Sequence, residues 1–118
     1  PQTAWLLEPV AGMIDAGEIP TEAAARESLE ETGAYIQNLE FVAKYYPSPG
    51  ACDEELIMFA AEVDSESVLE HAGNENEHED IRVEVMPFTQ AKEKLLNAEF
   101  SVAGTFIGLQ WLFFQKLA

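Results

Sequence analysis

The residues best equipped for chemistry in this chain are glutamates, and three of them stand together. Glu27, Glu30 and Glu31 lie in a segment with strong helical signals. Glu27 and Glu31 are four residues apart and share a helix face, and Glu30 lies beside that face. Three carboxylates so close repel one another unless something neutralises them. Arg26 stands one turn from Glu22 and one turn from Glu30 and can pair with either, whereas Glu27 and Glu31 have no basic residue at helical spacing. This pattern suits a hard-cation site in which oxygen ligands hold Mg²⁺ or Mn²⁺. The competing reading is a merely solvated acidic face. The preceding loop adds to the first reading. Gly12 and Gly17 flank Asp15 and lead to Glu18, and glycines allow a turn sharp enough for a backbone carbonyl such as that of Ala11 to face a cation.

A second group of carboxylates sits late in the chain. Residues 65–80, SESVLEHAGNENEHED, read as a long acidic loop without apolar period. Compact domains rarely carry so long a structureless loop without a use for it. Within it Glu75, Glu77 and Glu79 alternate with Asn76 and His78, so in an extended segment all three would point the same way. His71 and His78 read as solvated side chains. Cys52 has no histidine in useful sequence context, which argues against a nucleophilic role. Tyr45, Tyr46 and Phe59 read as sheet aromatics, with stacking on a base or ribose as the alternative.

The whole chain constrains what these groups can act on. Its 118 residues suit one domain, and 47% hydrophobic with 24% charged residues is ordinary globular composition. The charge is not ordinary: 22 Asp and Glu against 6 Lys and Arg give −16. Such a surface repels phosphate backbones and anionic lipid, so neither nucleic acid nor membrane is an expected partner. Phosphorylated small molecules remain accessible if divalent cations are recruited first. One cysteine excludes an intrachain disulfide framework and fits a reducing, cytoplasmic setting. Nothing at the start reads as a secretory signal, and the apolar stretch 101–118 contains Gln110, Gln115 and Lys116 and falls short of a membrane span.

Strand signals fall at 4–10, 36–46, 55–63 and 81–86, and helix signals at 21–32, 88–97 and 101–117. Pro20 and Thr21 open the first helix and Gly33 stands at its stop. Val102, Phe106, Leu109 and Phe113 mark one apolar stripe on the last helix, which reads as core packing. Strands and helices mix irregularly, so the expected class is an α/β sandwich with a mixed sheet.

The first helix and its loop carry a recognisable spacing, G-x5-E-x7-R-E-U-x-E-E-x-G-U, with U an aliphatic residue. Gly12, Glu18, Arg26, Glu27, Glu30, Glu31 and Gly33 fill all seven fixed positions, while Ser28 and Ala34 occupy the aliphatic ones. By chance this match has a probability on the order of 10⁻⁸ per starting position. The pattern resembles the Nudix box, and the chain resembles the Nudix hydrolase superfamily. Pro49, sixteen residues past Gly33, resembles the marker of the ADP-ribose pyrophosphatase branch. The segments WLLEPVAGMID, SPG, NENEHEDIRVEV and IGLQWL look like that branch too.

The resemblance implies a single Nudix hydrolase domain over residues 1–118, an α/β/α sandwich with a mixed sheet. It also implies strands ahead of the first one here, so the chain reads as a fragment, a short form or one half of a longer protein. An exposed sheet edge would then favour a homodimer. The implied reaction is hydrolysis of the pyrophosphate of ADP-ribose to AMP and ribose 5-phosphate, with Mg²⁺, or Mn²⁺ in its place, as cofactor. By resemblance Glu27, Glu30, Glu31 and the carbonyl of Ala11 bind metal. Gly12, Glu18, Arg26 and Gly33 hold the box in shape, and Pro49 shapes substrate selectivity. Glu77 aligns with the general base when Asp80–Arg82 is the anchor, Glu79 then assists metal binding, and Glu75 is the register alternative. Two other functions stay open: hydrolysis of another nucleotide sugar or nucleoside diphosphate derivative, and a non-catalytic metal-binding or assembly module.

Overall fold

A computed structural model of the chain describes residues 5–72 and 80–117. The architecture is α/β: α1 (Pro20–Thr32), β1 (Gln37–Tyr45), β2 (Leu56–Glu62), β3 (His71–Ala72), β4 (Ile81–Arg82), α2 (Phe88–Leu96) and α3 (Ala103–Trp111) follow in that order. Among the described residues β1 pairs with β2, and β3 pairs antiparallel with β4 in the register His71–Arg82 and Ala72–Ile81. The packing divides into two units. One comprises Val10–Phe41 and Phe59–Val85; the other comprises Pro1–Pro9, Val42–Met58 and Met86–Ala118.

The first unit is organised by α1. Pro20 occupies its first turn, where a missing N–H costs nothing and the fixed φ suits the helix. Gly33 ends it in the left-handed conformation, φ +77°, and donates its N–H to Leu29 O at 2.9 Å. The buried side of α1 is unusually polar, with Glu27, Ser28 and Glu31 beside Ala23. Ser28 and Thr32 fasten its last turn to the chain beyond: Ser28 Oγ donates to Ala34 O and Ala34 N–H donates to Thr32 Oγ1. Phe41 and Phe59 meet edge to face, with centroids 6.2 Å apart.

The second unit is built on the two late helices. Phe106 on α3 packs edge to face on Phe100, and Phe113 on Phe88, which starts α2. The apolar stripe of the last helix thus serves packing. Gly104 permits the close approach of α3 to its neighbours, because a Cβ there would come 3.2 Å from the Tyr45 hydroxyl. The last helix is α-helical only to Trp111 and continues as a wider π turn over Leu112–Lys116. No helix among the described residues is long and apolar enough to cross a membrane.

Three expectations change, the first being the strand signal at 81–86, which is realised only at Ile81–Arg82. Residues 5–10 do not pair as a strand. A strand exists only where a neighbour completes its ladder, and here Leu7 O accepts from a side chain instead, Thr105 Oγ1 at 2.8 Å. Pro9 also has no N–H to give. The acidic stretch from residue 65 is not structureless throughout. Ser65–Ser67 form a 3₁₀ turn in which Asp64 accepts the Glu66 N–H, and His71–Ala72 enter the β3–β4 pairing.

Candidate metal and catalytic site

The site residues of α1 and its preceding loop all belong to one unit. Glu27 and Glu31 are only 7% and 9% exposed, and so are placed against protein and not in solvent. Burying a carboxylate is costly unless it is hydrogen-bonded or paired. Glu31 Oε1 accepts the Ala11 N–H at 3.0 Å. Glu27 Oε1 takes Arg26 Nη1 at 2.7 Å. Its carboxylate also lies against Gly12, where a Cβ would overlap it. A side chain at position 12 would force the Glu27 carboxylate to move.

Arg26 is the organising cation. Its Nε donates to Glu18 Oε2 at 2.8 Å, and its Nη2 donates to Glu18 Oε1 at 3.0 Å. This is a two-pronged pair that fixes the plane of the guanidinium. Nη2 also donates to Met13 O at 2.8 Å, and Nη1 reaches Glu30 Oε2 at 3.4 Å. Asp15 Oδ2 lies 3.4 Å from Nε. The hydrogen bond from Arg26 holds the Glu18 carboxyl below its ordinary range, helped by the Asp15 N–H. Hydrogen bonds to Glu18 and Glu27 push the guanidinium further up, so it stays charged.

Spacing along the helix assigned Arg26 to Glu22 or Glu30 and left Glu27 without a basic partner. The structure pairs Arg26 with Glu30, not Glu22, and also with Glu27, its neighbour in sequence. The rule that adjacent helix residues do not face each other describes Cβ directions. A long guanidinium drawn round by Glu18 can still reach back to the next side chain.

Four carboxylates, Asp15, Glu18, Glu27 and Glu30, therefore share one guanidinium. Among the described residues no three acidic, histidine or cysteine side chains are spaced to form a ready metal shell. The donors nonetheless fit a hard cation. Glu27 and Glu31 are buried oxygen donors, Glu27 abuts a glycine cradle, and the backbone of Ala11 stands against Glu31.

The remaining expected residues are elsewhere. Pro49 is exposed in a turn of the other unit, where Ala51 N–H and Cys52 N–H both donate to Ser48 O at 3.0 Å. Proline suits the first central position of such a turn. Cys52 is exposed in the same turn. Tyr45 has its hydroxyl pushed up by burial and then by Glu54, and Tyr46 chiefly by its hydrogen bond with Glu55. Glu75, Glu77 and Glu79 lie outside the described residues, as does His78.

The NUDIX domain model matches residues 1–104. The ADP-ribose pyrophosphatase of Haemophilus influenzae is 40% identical over 111 residues, 94% of this chain and 51% of that protein. The ADP-ribose pyrophosphatase of Escherichia coli (strain K12) is 38% identical, over 94% of this chain and 53% of that protein. The GDP-mannose pyrophosphatase of Pectobacterium atrosepticum is 41% identical over 90 residues, 76% of this chain and 46% of that protein. The chain spans about half the length of the curated relatives it matches.

Proposed function

This chain belongs to the NUDIX domain family, and on that premise we propose that it hydrolyses the pyrophosphate of ADP-ribose to AMP and ribose 5-phosphate. The observation that carries this reading is the burial of Glu27 and Glu31 against the backbone of Ala11 and Gly12. A solvated acidic face would have left them in water. The relatives named ADP-ribose pyrophosphatase support the choice of substrate.

Mg²⁺, or Mn²⁺ in its place, would be held by Glu27, Glu30 and Glu31, the Ala11 carbonyl and Glu79. When bound, such a cation neutralises the pyrophosphate, polarises phosphorus and lowers the pKa of water. The chain's own groups do the rest. Glu18 grips Arg26 through two hydrogen bonds, and Arg26 in turn presents Nη1 to Glu27 and Glu30. This pair holds the carboxylates in position before a cation or substrate arrives. Glu77 takes the proton of the attacking water, with Glu75 and Glu79 as the neighbouring registers of the same role. Pro49, rigid in its turn, sets selectivity for the sugar side. The protein acts as a cytoplasmic homodimer on a small anionic substrate and avoids nucleic acid and membrane surfaces, in keeping with its charge of −16.

The GDP-mannose pyrophosphatase relatives, at comparable identity, favour one second reading: a different nucleotide sugar cleaved by the same site. A turnover panel separates the two. Incubated with Mg²⁺ and ADP-ribose, GDP-mannose or a dinucleoside polyphosphate, the protein should release AMP and ribose 5-phosphate fastest. Faster release of GMP and mannose 1-phosphate would install the second reading. No turnover of any of the three would overturn both. Size-exclusion chromatography with light scattering checks the dimer.

A further inference from the structure

The C-terminal end of α1 does more than stop the helix. The last carbonyls of a helix have no partner within it. One of them, Thr32 O, accepts the N–H of Leu69 at 2.8 Å. The next residue, Glu70, turns its carbonyl the other way and accepts the N–H of Val83, also at 2.8 Å. The chain entering β3 is therefore held between α1 on one side and the continuation of β4 on the other. The Leu69 side chain completes the joint. It lies over Gly33, where a Cβ would come 2.5 Å from its Cγ and 2.7 Å from its Cδ1. Gly33 is thus under two constraints, φ +77° and the room that Leu69 occupies.

We propose that Leu69 is a positioning residue that latches the β3–β4 hairpin to the end of the helix carrying Glu27, Glu30 and Glu31. The latch is short and local. A hairpin of two paired residues per strand holds little of its own position. Its two fastenings to α1 are the Leu69–Thr32 hydrogen bond and the Leu69 side chain over Gly33. Through them, the described residues of β3 and β4 are tied to the C-terminal end of α1. The catalytic consequence rests on the proposed function, in which Glu77, between β3 and β4 in sequence, is the general base. A misplacement of about 1 Å there can cost on the order of 100-fold in rate.

Two double-mutant cycles test this, one needing no activity. In the first, the melting temperature is measured for wild type, Gly33→Ala, Leu69→Ala and the double variant. Left-handed strain at residue 33 persists in both backgrounds, but the overlap with Leu69 exists in only one. Gly33→Ala should therefore lower the melting temperature less in the Leu69→Ala background. Equal losses in the two backgrounds would overturn the latch. Hydrogen exchange serves as a second readout: Leu69→Ala should speed exchange at Val83 while leaving the middle of α1 unchanged, and unchanged exchange at Val83 would likewise overturn it. In the second cycle, kcat and KM are measured on ADP-ribose with Mg²⁺. Leu69→Ala should lower kcat by roughly 10- to 100-fold with KM little changed, and Leu69→Met should restore most of it. In a Glu77→Gln background Leu69→Ala should cost almost nothing more. Full additivity would show that Leu69 does not act through the base. If Glu77→Gln alone costs nothing, the base assignment fails, and the stability cycle still decides the latch.

Discussion

Replacing Glu27 by glutamine asks whether the α1 carboxylates hold a cation. The side chain is 7% exposed, and its carboxylate fits against Gly12. Glutamine keeps that shape and keeps one oxygen donor, so the fold should survive. What is lost is one unit of negative charge. Two opposite unit charges about 4 Å apart attract by about 4 kcal/mol at an effective dielectric constant of about 20. A divalent cation doubles this attraction before the glutamine oxygen and solvent offset part of it, so at about 1.4 kcal/mol per tenfold the cation should bind at least on the order of 10³-fold more weakly. The same substitution removes the charge partner of Arg26 Nη1 at 2.7 Å, but Glu18 still holds the guanidinium through two hydrogen bonds. The assay is a Mn²⁺ titration followed by electron paramagnetic resonance, first without nucleotide and then with turnover monitored in parallel. Gly12→Ala is the companion variant. Its new Cβ displaces the Glu27 carboxylate without touching its charge, so it should weaken Mn²⁺ binding too, by roughly 10- to 100-fold as outer positioning partners do. Mn²⁺ affinity within threefold of wild type in Glu27→Gln would refute the assignment, and unaltered binding in Gly12→Ala would refute the role given to the close approach.

Glu18→Gln should lower the melting temperature at pH 7, and the deficit should vanish in acid. The folded-state pKa of Glu18 is depressed below 4.5, so its stabilisation is present above that value and is lost as pH falls through the folded pKa; a deficit that persists unchanged at pH 2 would contradict this. Among Glu75→Gln, Glu77→Gln and Glu79→Gln at saturating Mg²⁺, Glu77→Gln should lose most in kcat, about 10² to 10⁴-fold, with substrate affinity nearly intact. If another of the three loses most, the register moves to that residue. Pro49→Ala should change the ratio of kcat/KM between ADP-ribose and GDP-mannose while leaving the Mg²⁺ dependence alone; an unchanged ratio removes Pro49 from substrate selection.

The sequence made the first helix legible because its signals are local. Pro20 and Gly33 punctuate it within a turn of its observed ends, and the periodicity of Glu27 and Glu31 placed them on one face. What it could not give is which way that face points. Polar residues ordinarily turn outward, yet Glu27 and Glu31 are buried where the loop at Ala11 and Gly12 folds back on them, and Ser28 is buried with its hydroxyl on Ala34 O. Pairings between residues distant in sequence were equally illegible. Arg26 goes to Glu18 and Met13 O, outside the helix, because a loop geometry that no periodicity encodes brings them there. The stretch 5–10 carries strand-forming residues, but pairing needs a neighbour, and its carbonyl at Leu7 is instead taken by Thr105. The β3–β4 pair has two residues per strand, too few for any alternating pattern to show. The resemblance to the Nudix box supplied the candidate roles that spacing alone left open between a metal site and a charged surface.

The most direct test of the central claim is where a cation sits when the protein is loaded. Crystals grown with Mn²⁺ and a non-hydrolysable ADP-ribose analogue should be measured for anomalous scattering. The account expects peaks at roughly 2.0–2.4 Å from carboxylate oxygens of Glu27 and Glu31, with the Ala11 carbonyl turned toward one of them. An analogue bound with no anomalous peak on that face of α1, or with Mn²⁺ held only by other residues, would contradict it.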